Sequence, residues 1–139
     1  MRPIDILLVE DNLGDVELTR EMLSEGNPEL RVGHVFDGEQ ALDFLSHQRA
    51  TDTMFPGLIL LDLNLPKMNG IQTLAEIRSD ATFRRIPVVV LTSSDAEHDV
   101  IASYESGANC YVTKPVGLAA FQEAVRKIED FWFSVVKIP

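Results

Sequence analysis

Five short apolar runs alternate along the chain with five longer stretches in which apolar residues recur every three or four positions. The runs are Asp5 to Val9, Arg31 to Phe36, Leu58 to Leu61, Val88 to Leu91 and Cys110 to Val112. Their brevity and their leucine and β-branched content predict strands. The longer stretches lie at about Gly14 to Gly26, Gly38 to His47, Asn69 to Arg78, Ala96 to Ser106 and Leu118 to Phe131, and their spacing predicts helices. The runs are near-continuously apolar rather than alternating, so both faces of the sheet are covered, as in parallel sheets with helices on each side. The reading is an α/β chain, (βα)5, with a doubly wound five-stranded parallel sheet.

Turn residues fall where this plan needs them. Asp37 and Gly38 close the second strand, Pro66 and Gly70 bracket the third loop, and Gly107 ends the fourth helix. Pro87 opens the fourth strand, where a missing N–H is tolerated. Asn12 or Asp15 is positioned to cap the first helix. In the last helix Leu118, Phe121, Val125, Ile128 and Trp132 share a face expected to lie on the sheet.

At 139 residues, 45% hydrophobic and 24% charged, the chain has the size and balance of one globular domain, residues 1–139. No apolar run has the length of a membrane span, and Asp5 interrupts the N-terminus before any signal-like segment, so a cytoplasmic location and no membrane partner are expected. The net charge of −10, with no cluster of Lys and Arg to offset it, disfavours direct binding to nucleic acid. The lone Cys110 has no disulfide partner in the chain and reads as a small buried hydrophobe. His34, His47 and His98 lack metal-ligand spacing and are given no function.

The chemistry gathers at the C-terminal ends of the strands. Glu10 and Asp11 follow the first run and Asp62 follows the third, which on adjacent parallel strands places three carboxylates in the crevice where open α/β sheets bind ligands. Like charges in contact raise one another's pKa, so such a group calls for a cation. An all-oxygen donor set suits Mg²⁺. Thr92 and Lys114 follow the fourth and fifth runs, adding a hydroxyl and an amine that could clamp phosphoryl oxygens beside the metal. Asp62, central in the sheet, is then the natural nucleophile, since a carboxylate can form an aspartyl phosphate.

The runs Leu8-Val9-Glu10-Asp11-Asn12, Leu61 to Gly70, Leu91-Thr92-Ser93-Ser94 and Tyr111-Val112-Thr113-Lys114-Pro115 together resemble the receiver domain of a two-component response regulator, over essentially the whole chain. The resemblance implies a flavodoxin-like receiver fold and a cytoplasmic signalling switch rather than an enzyme acting on other substrates. It implies Asp62 as phosphoacceptor, Thr92 and Lys114 on the phosphoryl oxygens, and Mg²⁺ held by Glu10, Asp11, Asp62 and the backbone carbonyl of Asn64. It further implies a cis bond between Lys114 and Pro115, a switch made of Thr92 and Tyr111, and a sensor histidine kinase as partner. The stretch Asp99 to Glu105 and the extension Phe131 to Pro139 are similar to single-domain regulators paired with bacterial phytochromes, which implies a phytochrome-type kinase and a homodimer. No output domain is recognised, so the product of phosphorylation is expected to be an altered surface around the fourth helix, fifth strand and fifth helix.

Two other functions compete. A haloacid-dehalogenase-type phosphatase also uses an aspartate nucleophile, but it wants a second acid two residues on, where this chain has Asn64. A flavin-binding module would need a glycine- or hydroxyl-rich phosphate loop after the first strand, where Glu10 and Asp11 would repel phosphate. Finally, six large apolar residues (Phe131, Trp132, Phe133, Val135, Val136 and Ile138) crowd the last nine positions. A single helix face buries only some of them, and the rest, over about residues 132–139, are expected to cover an apolar surface, either on the same chain or across a homodimer, with the resemblance to the phytochrome-paired regulators favouring the dimer.

Overall fold

The computed structural model describes residues 2–138. Strands β1 (Ile6–Val9), β2 (Val32–Val35), β3 (Leu58–Leu61), β4 (Val88–Thr92) and β5 (Cys110–Thr113) alternate with helices α1 (Leu13–Gly26), α2 (Gly38–Ala50), α3 (Gly70–Ser79), α4 (Glu97–Glu105) and α5 (Leu118–Asp130). The strands form one parallel sheet in the order β2-β1-β3-β4-β5. Chain order reverses at β1, so β1 and β3 lie side by side, with a crevice above their C-terminal ends.

Because side chains alternate across a strand, β1 serves two cores at once. Ile6 and Leu8 pack with Val16, Met22 and Leu23 of α1 and with Phe121, Val125 and Ile128 of α5. Leu7 and Val9 point the other way, to Ala41 and Leu45 of α2 and Leu74 and Ile77 of α3. Every residue of β1, β3 and β4 is buried, which is the physical content of their continuous apolar runs. The edge strands β2 and β5 are only partly covered.

Helix starts follow the capping chemistry. Asn12 accepts from the Asp15 N–H at 3.0 Å, so Asn12 rather than Asp15 caps α1. Asp37 caps α2, and Asn69 with Gln72 forms a reciprocal capping box on α3. Gly70 lies so close to the end of β3 that a Cβ there would fall 2.4 Å from the Asp62 carbonyl oxygen and 2.6 Å from Leu63 Cα. Gly107 adopts φ +104 after α4, as expected of its place.

The last helix differs from expectation at both ends. Phe121, Val125 and Ile128 are buried, but Leu118, the first residue of α5, is exposed. At its other end α5 runs into a π-helical turn, Phe131–Val135, closed by Val136 N–H donating to the Phe131 carbonyl at 2.8 Å. Trp132 and Phe133 pack against the core, Phe131 and Val135 face solvent, and Ile138 reaches back to Gly57 at the start of β3. Pro139 lies outside the described residues. No helix among the described residues is long and apolar enough to cross a membrane.

Candidate functional site

The strand register brings the polar groups to one edge. Val9 pairs with Leu61, Leu61 with Val90, and Thr92 with Thr113, so Glu10, Asp62, Thr92 and Lys114 emerge together at the C-terminal ends of four neighbouring strands. Asp62 sits at the centre, nearly buried, with both carboxylate oxygens engaged. Its Oδ1 accepts from Thr92 Oγ1 at 2.8 Å and from the Asn64 N–H at 3.0 Å, and its Oδ2 accepts from Lys114 Nζ at 2.9 Å. Thr92 is completely buried.

Lys114 is the electrostatic counterweight. Its ammonium also donates to Glu10 Oε1 and, at 2.8 Å, to Asp15 Oδ2, so one cation faces three carboxylates. Burial works against its charge, but the hydrogen bonds it donates to Asp15 and Glu10 and the field of Asp62 outweigh that and push its pKa above the ordinary lysine range. The two buried acids diverge. At Asp62, burial opposes ionisation, but the Asn64 N–H and Lys114 prevail and hold it below the usual carboxylate range. At Glu10, burial and the neighbouring Asp62 charge prevail over the Lys114 contact and push it up to about 7. Adjacent acids split in this way are common where a site manages charge during a reaction.

Glu10, Asp11 and Asp62 each place a carboxylate oxygen within 4.8 Å of the others, with Asp11 exposed and the other two buried. This cluster of oxygens, too negative for its single lysine and open to water on the Asp11 side, fits a hard divalent cation that keeps part of its hydration shell. The residues singled out in the sequence therefore converge, with Asn64 drawn in through its N–H. Tyr111 lies beside the cluster, where its hydroxyl donates to the Ser94 carbonyl at 2.7 Å, while Ser94 Oγ donates to Asp99 at the start of α4.

One expectation is corrected. No peptide bond among the described residues is cis, so the Lys114–Pro115 bond is trans. Trans is the lower-energy isomer. Lys114 reaches all three carboxylates with it, and Val116 beyond Pro115 is fully solvent-exposed, so no packing demands the other form.

Two further side chains take part that no local motif marks. Asp15, a candidate helix cap by its sequence position, instead meets Lys114 across 99 positions of chain. The signal available was its place one turn into α1, on the side of the helix facing the crevice. His34, on the edge strand β2, donates from Nε2 to the Glu10 carbonyl at 2.7 Å and so fixes the backbone from which Glu10 projects.

Comparison with known proteins agrees with this geometry. Residues 6–126 match the family model described as the response regulator receiver domain. The chain is 46% identical to the response regulator Rcp1 of Synechocystis sp., covering 99% of this chain and 94% of that protein. Among solved structures it is similar to the phosphorylated cyanobacterial phytochrome response regulator RcpA, at 45% identity, 96% coverage of both chains and a TM-score of 0.90. It is also similar to the Mn²⁺-bound form of Rcp1, at 46% identity, 96% and 97% coverage and a TM-score of 0.89. The phosphatase alternative finds no such support. With its flavodoxin-like sheet and its acid, hydroxyl and lysine cluster, the chain belongs to the response regulator receiver domain family and is a phosphorylation-dependent switch of two-component signalling.

Proposed function

We propose that Asp62 is the phosphoacceptor and that the donor is the phosphohistidine of a phytochrome-type sensor kinase. An Asp62 carboxylate oxygen attacks phosphorus, the phosphorus–nitrogen bond to the imidazole breaks, and the phosphoryl group remains on Asp62 as an acyl phosphate. The observation that carries this is the grip on Asp62: Thr92 and Asn64 hold one oxygen and Lys114 the other, so the nucleophile is ionised and oriented. Lys114 and Thr92 then stand within reach of the arriving phosphoryl oxygens, where positioning and charge neutralisation supply most of the catalysis. Glu10, Asp11, Asp62 and the Asn64 carbonyl would hold Mg²⁺, whose chemistry there is neutralisation of the phosphoryl charge; similarity to a Mn²⁺-bound regulator supports a divalent ion.

The output reading follows from the same contacts. Thr92 gains a new acceptor when Asp62 is phosphorylated, and its displacement frees space that Tyr111 can enter by releasing the Ser94 carbonyl, altering the loop before α4. The chain's own chemistry is limited to gaining and losing this phosphoryl group. The test is intact-mass measurement after incubation with acetyl phosphate and Mg²⁺. A single phosphate adduct is expected on the wild type and none on Asp62→Asn; equal adduct on both would remove Asp62 from its role.

A second copy of the chain is the proposed structural partner. An apolar groove of about 360 Å³ lies along β5 and α5, floored by Cys110, Val112 and Ile128 and bordered by Phe131 and Trp132. The outward-facing Phe131 and Val135 beside it offer the anchors that a two-fold related groove would receive.

A further inference from the structure

The opposite end of the sheet, remote from the acid cluster, holds a cavity of about 480 Å³. That is within the range of small-molecule sites. In a chain of net charge −10 this cavity is basic among the described residues: Arg2, Arg49 and Arg85 line it against one acidic side chain, Asp52. Arg49 is already committed, donating to Asp80 at 2.9 Å and Thr82 at 3.0 Å and stacking 4.6 Å from the centre of the Phe83 ring. Arg2 donates to the Phe55 carbonyl at 2.7 Å. Arg85 is exposed and makes no ion pair to any described residue. The walls between these cations are apolar, from Phe55, Ile86, Pro87 and Ile138.

A second observation comes from Gln48, which also lines this cavity. It is 4% exposed, and its Oε1 is the one buried side-chain oxygen or nitrogen among the described residues without a hydrogen-bond partner. An orphaned buried amide oxygen is costly and calls for a donor. The core does not require a glutamine there, since leucine or methionine would fill the same volume without that cost.

We infer that this cavity is a binding site for a small organic anion, a carboxylate or phosphate carried on a ring-sized apolar body that also bears a hydrogen-bond donor. Arg85 neutralises the anion, Phe55, Ile86 and Pro87 cover the apolar body, and Gln48 Oε1 accepts from the donor. Ile138 is part of the wall, so the C-terminal tail closes one side of the site and occupancy is coupled to tail position.

The test is amide NMR titration of the full chain with 4-hydroxybenzoate and with phenyl phosphate, using 4-hydroxybenzyl alcohol as the neutral counterpart and benzoate as the probe without the hydroxyl. Saturable shifts confined to residues 52–56, 82–87 and the tail are expected with both anions. Arg85→Gln should weaken 4-hydroxybenzoate about five-fold, the scale of a half-exposed charge-assisted contact. Gln48→Leu should remove the preference for 4-hydroxybenzoate over benzoate while leaving benzoate bound. Phosphorylation by acetyl phosphate should be unchanged in both variants, which separates failure here from failure of the switch reading. Absence of saturable shifts with either anion, equal binding of the neutral alcohol, or indifference to Arg85→Gln would each overturn the assignment.

Discussion

Thr92 Oγ1 donates to Asp62 Oδ1 across the boundary between two buried strands, β3 and β4. The hydroxyl has one hydrogen to give, and its burial leaves no water to receive it. Whatever appears on Asp62 therefore competes directly for the Thr92 donor.

Thr92→Val preserves shape and removes only that donor. At neutral pH the variant should lose about 1–3 kcal/mol of stability, because a nearly buried carboxylate loses a hydrogen bond. Asp62 is held below its ordinary pKa, so its contribution is present above the unfolded value of 3.8 and disappears as acid protonates the folded form. Urea unfolding at neutral pH and in acid checks this: the difference between variant and wild type should shrink as pH falls.

Glu10 gives the opposite slope. Its carboxyl is raised from 4.5 to about 7, so between those values the folded chain holds more protons than the unfolded chain. Without divalent metal, this group's contribution should fall as pH rises from about 4.5 to about 7 and then level off. Glu10→Gln should flatten that segment of the profile in denaturant titrations made in chelator, and should also weaken Mg²⁺ binding. A segment of unchanged slope in the variant would contradict the assignment.

Gly70→Ala tests the packing of α3 against the phosphorylation loop. A methyl group there meets backbone on both sides, at the Asp62 carbonyl and at Leu63, neither of which can rotate away. A loss of about 1–3 kcal/mol, the usual cost of overpacking, is expected. The helix is displaced from the Asp62 loop, so the acetyl phosphate reaction should slow as well.

Deleting residues 134–139 removes Val135 and the tail while sparing Trp132. Light scattering at tens of micromolar should show weaker self-association than the full chain, with phosphorylation of Asp62 intact. A full-length chain that stays monomeric with and without phosphorylation would leave the tail only its contacts to Gly57 and the core.

What the sequence made legible was set by local chemistry. The three central strands were found because burial on both faces demands unbroken apolar runs, and β3 matches its expected bounds, Leu58–Leu61. The five groups of the site were found because parallel strands deliver their C-terminal neighbours to one crevice. Contacts made across the chain were not legible: nothing near Asp15 announces Lys114, and nothing near His34 announces the Glu10 carbonyl. The exposure of Leu118 and the π-helical turn at Phe131 lie at the two ends of α5, and the helical periodicity alone encodes neither.

The single ammonium of Lys114 facing Glu10, Asp15 and Asp62 has a consequence for anyone engineering this chain. The crevice is held together against its own repulsion, so neutral replacements at Glu10 or Asp11 relieve it. A library ranked by heat resistance in chelator would enrich such replacements, and its winners would be robust proteins that transmit nothing. Positions where durability and signalling part company would then mark the outline of the crevice without any assay of phosphorylation.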